Sequence, residues 1–346
     1  MILDISNTRA ERLKQAKNKD SISKAGNRKH PLPFPDPHHD TDYIVYRVPI
    51  EILSFNFDNG RIAAEIRTIE ERSKRTFKPS SKEDQKSVGE ILLQSKYISV
   101  DPYLRGRMND EESYIPPFDL NAPMESTVVA EVIDSKNSNF AKGDFVFGML
   151  KWKEFQTSAG TGLNKVDPEK APLSAYLGIL GLTGLTAYIS LEKIADLKEG
   201  ETLLVSGASG AVGSTVGQIG KIKGGRVVGI AGSDEKLDLM KDKFGFDEGI
   251  NYKKTDDMIA AVAEACPNGV DVYYDNVGGE ILDAALNNIN KNGRVINCGA
   301  ISLYNAKQTP TGPRHEGILV KKTVLMQGFL VRDHAKEFGN AIGEDV

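Results

Sequence analysis

The 346-residue sequence predicts an α/β protein whose C-terminal half is a doubly wound parallel sheet. Three observations predict it. From Gly200 onward, strand-like and helix-like runs alternate. The strand-like runs are apolar at successive positions, as in Arg226-Val-Val-Gly-Ile230, which suits strands buried on both faces. The first of them ends in a glycine-rich turn, Val205-Ser-Gly-Ala-Ser-Gly-Ala-Val-Gly213, that opens a helix.

The elements follow in chain order. Residues 1–30 hold eight basic and three acidic residues and read as a solvated, partly disordered arm. Residues 31–40 (PLPFPDPHHD) read as a proline-rich linker. His38 and His39 have no Cys nearby and no second His pair at ligand spacing, so a solvated loop is expected there rather than a metal site. Residues 43–54 suggest a strand and turn, and residues 61–87 are charged, ending in a polar loop. From Gly89 the texture becomes β-rich: residues 90–100 alternate, and 127–134 and 144–150 look like further strands. Residues 171–190 are apolar and glycine-studded and read as one buried helix. Strands are expected at 202–206, 226–231, 249–252, 270–275, 293–298 and 323–331. Helices are expected at 211–223, 234–244, 255–265 and 279–290.

Composition excludes several classes. The net charge is −4, which gives no electrostatic case for nucleic acid over the whole chain. Residues 1–88 carry 17 Lys/Arg against 13 Asp/Glu, so any nucleic-acid or other interaction module would have to lie in that basic stretch. The only cysteines are Cys266 and Cys298, which argues against a disulfide framework and for a reducing compartment, the cytoplasm. No apolar run is long enough to span a membrane, and the N-terminus lacks the apolar core of a signal peptide.

Ligands of doubly wound sheets bind beyond the carboxyl ends of the strands, so binding chemistry is expected in the segment after each strand. After the first comes Gly207-x-x-Gly210-x-x-Gly213, whose glycines admit a diphosphate to main-chain N–H groups at a helix start; a plain turn explains the same residues. After the second comes Ala231-Gly-Ser-Asp-Glu-Lys236. Small residues stand where an acid would take the ribose 2′-OH, and Lys236 with a hydroxyl suits a 2′-phosphate. Asp234 and Glu235 keep NAD in contention, and an N-cap Ser233 explains the same pattern. Tyr252 follows the third strand, where it stacks or packs. After the fourth, Asp275-Asn-Val-Gly-Gly279 places Asn276 for a ribose or amide contact. After the fifth, Cys298 leads to Tyr304-Asn305. Four such turns at one sheet edge point to a dinucleotide.

All five histidines lie outside residues 40–314, and no Cys precedes Cys266, so zinc-assisted chemistry and a histidine acid in the β-rich part are not expected. Tyrosines remain. A tyrosine hydroxyl donates while keeping its proton near neutral pH, and Tyr304 could polarise a substrate carbonyl or simply pack.

Several stretches together resemble one family. They are Tyr97-Ile-Ser-Val-Asp-Pro-Tyr-Leu-Arg-Gly-Arg-Met108, Ala171-Pro-Leu-Ser-Ala-Tyr-Leu-Gly178, Gly181-Leu-Thr-Gly-Leu-Thr-Ala-Tyr188, Ser209-Gly-Ala-Val-Gly-Ser214, Asp275-Asn-Val-Gly-Gly279 and Cys298-Gly-Ala-Ile-Ser302 with Tyr304-Asn305. The chain from about Gly89 to Val331 is similar to the zinc-independent medium-chain dehydrogenases/reductases, in particular the leukotriene B4 12-hydroxydehydrogenase/prostaglandin reductase and bacterial curcumin reductase group. The resemblance implies a Rossmann domain beside a GroES-like β-rich domain. It implies NADPH-dependent reduction of the carbon–carbon double bond of α,β-unsaturated ketones and aldehydes, with hydride going to the β-carbon of a small-molecule enone. Carried over by position, Gly210, Ala211, Val212 and Gly213 meet the diphosphate, Lys236 and Tyr252 the 2′-phosphate side, and Asn276 the ribose or nicotinamide side. Cys298, Gly299, Ala300, Ile301, Ser302 and Tyr304, with Phe329, Leu330 and Val331, line the nicotinamide; Tyr304 is the catalytic candidate and Tyr114 a substrate contact. No metal is implied, and a homodimer is.

The domain reading is an unassigned segment at 1–88, a partial GroES-like domain at 89–170, a Rossmann domain at 171–332 and a polar tail at 333–346. The family's first strands are not recognisable in residues 1–88, and its members continue beyond Val331. The catalytic half is thus expected to be clipped at both ends. Two alternatives follow: an NADPH:quinone oxidoreductase, and a truncated cofactor-binding protein without turnover.

Overall fold

The computed structural model describes residues 89–334 except 307 and 309, together with the backbone of four short strands before them. The basic arm, the proline-rich linker with His38 and His39, and the polar loop before Gly89 lie outside the described residues, apart from those strands. The chain divides into two units, residues 1–104 with 114–177, and residues 105–113 with 178–346.

The first unit is built on a seven-stranded sheet and a separate hairpin. Its strands are β1 (Ile2–Asp4), β2 (Val45–Tyr46), β5 (Ile91–Ser99), β6 (Glu125–Ser135), β7 (Phe145–Lys151), β8 (Phe155–Ser158) and β9 (Asn164–Val166). The hairpin joins β3 (Leu53–Asp58) to β4 (Arg61–Ile66) in antiparallel register. Two expectations are corrected here. Ile2–Asp4, read as part of a solvated arm, is a strand paired antiparallel with β5, Ile2 opposite Ser99. Arg61–Ile66, read only as a charged stretch, is a hairpin arm. Both strands are too short to show a period in the sequence; pairing decides them. The core of this unit includes Ile91, Leu93, Val128, Ala130, Val132 and Val146 from alternating positions of β5 to β7, and Ile98, which follows a register shift between Ser95 and Tyr97. Trp152 closes it, donating through Nε1 to Ser126 Oγ at 2.9 Å, while that hydroxyl donates to the Ser99 carbonyl at 2.6 Å.

The stretch 171–190 is not one helix. It is a 3-10 turn over Leu173–Leu177 in the first unit, a glycine break, and helix α1 (Leu182–Ser190) in the second. Gly184 explains the break: a Cβ there would fall 1.8 Å from the Ile179 carbonyl oxygen, so the incoming chain is packed onto the helix start.

The second unit is a six-stranded, all-parallel sheet in the order β12-β11-β10-β13-β14-β15. The strands are β10 (Thr202–Ser206), β11 (Arg226–Ala231), β12 (Glu248–Asn251), β13 (Val270–Asp275), β14 (Ile289–Asn297) and β15 (Leu325–Gly328). The helices between them are α2 (Ala211–Ile222), α3 (Asp234–Asp242), α4 (Met258–Ala265), α5 (Gly279–Asn287) and α6 (Glu316–Lys322). The expected elements are present with shifted ends. β14 starts four residues earlier than its apolar run because Ile289 pairs with Val270 across a register shift. β15 stops at Gly328, short of residue 331, and the chain turns at Val331–His334. One core lies on each face of the sheet. One holds Leu203, Val205, Val216, Val227, Val272 and Tyr274; the other holds Leu204, Val228, Val262, Tyr273, Ala285 and Val295. Successive residues of β10 thus point to opposite cores, which is why its sequence is apolar throughout.

Among the described residues, no helix is long and apolar enough to cross a membrane.

Candidate functional site

Because the six strands run parallel, their carboxyl ends share one rim. The strand order reverses between β10 and β13, the place where such sheets bind ligands. Two turns meet there, Gly207–Gly210 after β10 and Asn276–Gly278 after β13.

The first turn is shaped by what it cannot contain. Gly207 has φ +59°, open to glycine at little cost. A Cβ on Gly213 would lie 2.5 Å from the Gly207 carbonyl oxygen and 2.8 Å from Ala208 Cα, so the helix start rests directly on the turn. Gly210 is the N-cap of α2 with extended backbone (φ −80°, ψ 171°), and no side chain caps the helix. Gly210 and Ala211 are exposed. The main-chain N–H groups of Ala211, Val212 and Gly213 therefore begin an uncapped helix at the switch point, an arrangement that accepts a phosphate. A pyridine dinucleotide fits this cradle on the glycine geometry alone.

The second turn is held by Asp275, a buried acid at the end of β13. Its Oδ1 accepts from Ser206 Oγ at 3.1 Å, the Tyr273 hydroxyl at 2.8 Å, Val277 N–H at 2.9 Å and Gly278 N–H at 2.8 Å. Asn276 reaches back across the switch: its N–H donates to Ser206 Oγ at 2.9 Å and its Nδ2 to the Ser206 carbonyl at 2.8 Å. The side-chain amide expected to meet a ribose or nicotinamide thus also ties β13 to β10. Neither Ser206 nor Asp275 stands out in the sequence as a site residue. The available signal was a lone acid and a lone hydroxyl ending two otherwise apolar strands.

The segment after β14 lies on that second turn. Cys298 and Gly299 N–H donate to the Asp275 carbonyl, Ile301 N–H to the Asn276 carbonyl and Ser302 N–H to the Val277 carbonyl. Ser302 Oγ donates to the Val277 carbonyl at 2.6 Å. Gly278, with φ +69°, leaves room for Ala300, whose Cβ would stand 3.2 Å from a Cβ on it. The Tyr304 hydroxyl folds over Gly299, 3.0 Å from where a Cβ would be, and makes no hydrogen bond among the described residues. Arg105, from the short segment that belongs to this unit, donates through Nε to Asn305 Oδ1 at 2.8 Å and through a terminal nitrogen to Asn109 Oδ1 at 2.6 Å. It braces the turn that carries Tyr304. Phe329 packs with Cys298 against the sheet core, and Leu330 and Val331 follow half-buried. Burial pushes the Cys298 and Cys266 thiols up to about 11, so both are neutral near pH 7 and neither is an activated nucleophile.

On the other side of the switch, Lys236 is exposed in the first turn of α3 and forms no ion pair among the described residues. Tyr252 lays its ring on Gly232, where a Cβ would meet Cε1 and the hydroxyl at 3.0 Å. Beside it opens a cleft of about 550 Å³ lined in part by Met258, Ile259, Glu280 and Ile281. The structure therefore gathers Gly210 to Gly213, Lys236, Tyr252, Asn276, Cys298 to Ser302, Tyr304 and Phe329 to Val331 on one sheet rim. Tyr114 is exposed in the first unit. Among the described residues, no group of three His, Cys, Asp or Glu could hold a metal ion.

Comparison with known proteins meets this geometry at both ends of the chain. Residues 71–166 match a family model described as the N-terminal domain of oxidoreductase, and residues 211–344 match one described as zinc-binding dehydrogenase. The matched regions begin before Gly89 and end after Val331, wider than the motifs alone delimit. The Bacillus subtilis (strain 168) protein YfmJ, whose name describes an NADP-dependent oxidoreductase in provisional terms, is 56% identical over 252 residues, 72% of this chain and 74% of that protein. The NADP(+)-dependent 2-alkenal reductase of Nicotiana tabacum is 46% identical over 247 residues, 71% of this chain and 72% of the relative. The crystal structure of CurA from Vibrio vulnificus in complex with NADPH superposes with a TM-score of 0.71 at 41% identity, covering 76% of this chain and 80% of CurA.

Proposed function

Because this chain belongs to the zinc-independent branch of the medium-chain dehydrogenase/reductase family, we propose that it is an NADPH-dependent reductase of the carbon–carbon double bond of α,β-unsaturated ketones and aldehydes. The observation that carries this reading is the uncapped, glycine-lined start of α2 at the switch point, beside a second-strand turn that presents Lys236. When bound, NADPH supplies the hydride delivered to the substrate β-carbon.

The chain's own residues do the rest. The N–H groups of Ala211, Val212 and Gly213 bind the diphosphate, and Lys236 and Tyr252 take the 2′-phosphate end. The cleft beside Tyr252, about 550 Å³ and lined in part by Met258 and Ile281, takes the adenine. Main chain from Cys298 to Ser302, with Phe329 to Val331, forms the wall against which the nicotinamide is oriented. Tyr304 donates a hydrogen bond to the substrate carbonyl oxygen, stabilising the enolate charge that collects there as the β-carbon takes the hydride, and a proton from solvent at the α-carbon completes the reduction. Tyr114 is assigned a substrate contact. The reading places the protein in the cytoplasm as a homodimer; the wholly exposed outer strand β15 supports the second point, and light scattering at twice the monomer mass checks it.

The test is one cuvette. NADPH is titrated by its fluorescence, and 1-nonen-3-one or 4-hydroxynonenal is then added, with quinones run in parallel. Consumption of NADPH with enones is expected; binding without consumption of any enone would overturn the reductase assignment, and consumption with quinones alone would reassign the substrate. Tyr304→Phe is expected to lower turnover by about 10- to 100-fold while NADPH affinity stays within about twofold. An unchanged rate would remove Tyr304 from the chemistry.

A further inference from the structure

Asp234 stands where selectivity between the two pyridine coenzymes is decided. It follows the N-cap Ser233, a few residues past the end of β11, and is exposed. An acid in this region accepts from an unphosphorylated ribose and repels a 2′-phosphate. Here the carboxylate is already occupied. Lys254 Nζ pairs with Oδ2, and Asn251 Nδ2 donates to Oδ1 at 2.7 Å. Asn251 ends β12, the neighbouring strand, and Lys254 lies in the turn that follows it.

That turn is built to hold them. Asn251 Oδ1 accepts from the Lys253 N–H at 3.1 Å, capping the 3-10 turn Tyr252–Lys254, and its carbonyl accepts from Thr255 Oγ1 at 2.9 Å. The same turn lays Tyr252 on Gly232. Lys254 therefore arrives at Asp234 on a capped turn and not as a loose side chain. The hydrogen bonds from Lys254 and Asn251 hold the Asp234 carboxyl below its usual range, so it stays ionised and paired near neutral pH. Its own backbone N–H and the Ser233 hydroxyl hold the Glu235 carboxyl below its usual range as well. Lys236 is left unpaired among the described residues.

We propose that Lys254 is a coenzyme-selectivity residue: by neutralising Asp234 it silences an acid that would favour NADH, and so leaves Lys236 to meet the 2′-phosphate. This rests on NADPH being the coenzyme, and it concerns residues that touch Asp234 rather than the reacting atoms. Lys254 acts as a positioning and charge-compensating group.

The experiment measures Kd for NADPH and for NADH, by fluorescence and calorimetry without substrate, on the full chain and on Lys254→Met, Lys254→Met/Asp234→Asn and Lys236→Ala. The native chain binding NADPH more tightly than NADH tests the underlying reading by itself; no preference would overturn that reading and this proposal together. Given the preference, Lys254→Met is expected to weaken NADPH about 10-fold and to leave NADH unchanged or up to about threefold tighter. The double variant is expected to bring NADPH back to within about threefold of the native value, because the acid left uncovered is gone. Lys236→Ala sets the scale for loss of a direct phosphate contact. An unchanged NADPH affinity in Lys254→Met overturns the proposal. So does equal loss for both coenzymes. So does failure of the double variant to recover, which would make Lys254 a direct ligand. The pair is exposed, so both variants are expected to melt with the native chain.

Discussion

Replacing Gly210 with Asp is expected to abolish NADPH binding while leaving the fold at least as stable. The two effects separate because Gly210 is an N-cap. Its extended backbone suits an aspartate, and α2 has no side-chain cap to lose. The new carboxylate would accept from Val212 or Gly213 N–H and add about 0.3–1 kcal/mol to the helix. The added Cβ meets only the Gly207 carbonyl oxygen, at 3.2 Å, which a shift of a few tenths of an ångström relieves. A diphosphate arriving at the same N–H groups then finds them taken and faces a like charge. At about 5 Å and an effective dielectric of about 20, each such pair costs about 3 kcal/mol. The dissociation constant should rise at least about 100-fold. Calorimetry with NADPH and a thermal melt of the same sample check both halves. Affinity within about threefold of the native chain would mean that the dinucleotide does not lie on this helix start.

Asp275→Ala is expected to be the most damaging single change in the parallel-sheet unit. Four donors converge on one buried oxygen: Ser206 Oγ, the Tyr273 hydroxyl, and the Val277 and Gly278 N–H groups. Alanine strands three of them in a buried site, leaves Ser206 Oγ only its longer bond to the Tyr274 carbonyl at 3.4 Å, and leaves a void. A buried donor without an acceptor costs about 1–3 kcal/mol, but such losses in one network do not add. A total of about 3–5 kcal/mol is expected, read as a lower urea midpoint. Asp275→Asn keeps one acceptor oxygen and should lose about half as much. Added NADPH should recover part of the loss in each, because a ligand that binds only the folded state stabilises it. An alanine variant within about 1 kcal/mol of the native chain would show that the carboxylate does not hold the switch point together.

Arg105 and Ser206 show where reading along the chain stops. Arg105 lies 200 positions from the Asn305 it bonds, and Ser206 lies 70 from Asn276. No local period encodes either contact. The same is true of β1, three residues whose strand character comes from lying between β2 and β5. The rim turns were legible for the opposite reason. Glycine at 207 and 213, and the pair at 278 and 279, sit where a side chain would strike the neighbouring backbone or demand positive φ, so the residue type itself records the geometry.

The order of strands and helices from Gly200 to Asn297, the family, and the stretches that form the sheet rim were determined by the sequence alone, because burial on two faces and close main-chain approach each restrict the residues allowed at one position; helix α6 (Glu316–Lys322), before the last strand, was not among them. What the rim residues do to one another was decided only by the tertiary structure. That Asp275 clamps the switch point, that Asn276 is partly spent on Ser206, and that Lys254 covers Asp234 follow from which strands become neighbours. Hydrogen bonds and ion pairs act over a few ångströms of space, whatever the distance along the chain, and a single sequence carries no record of that space.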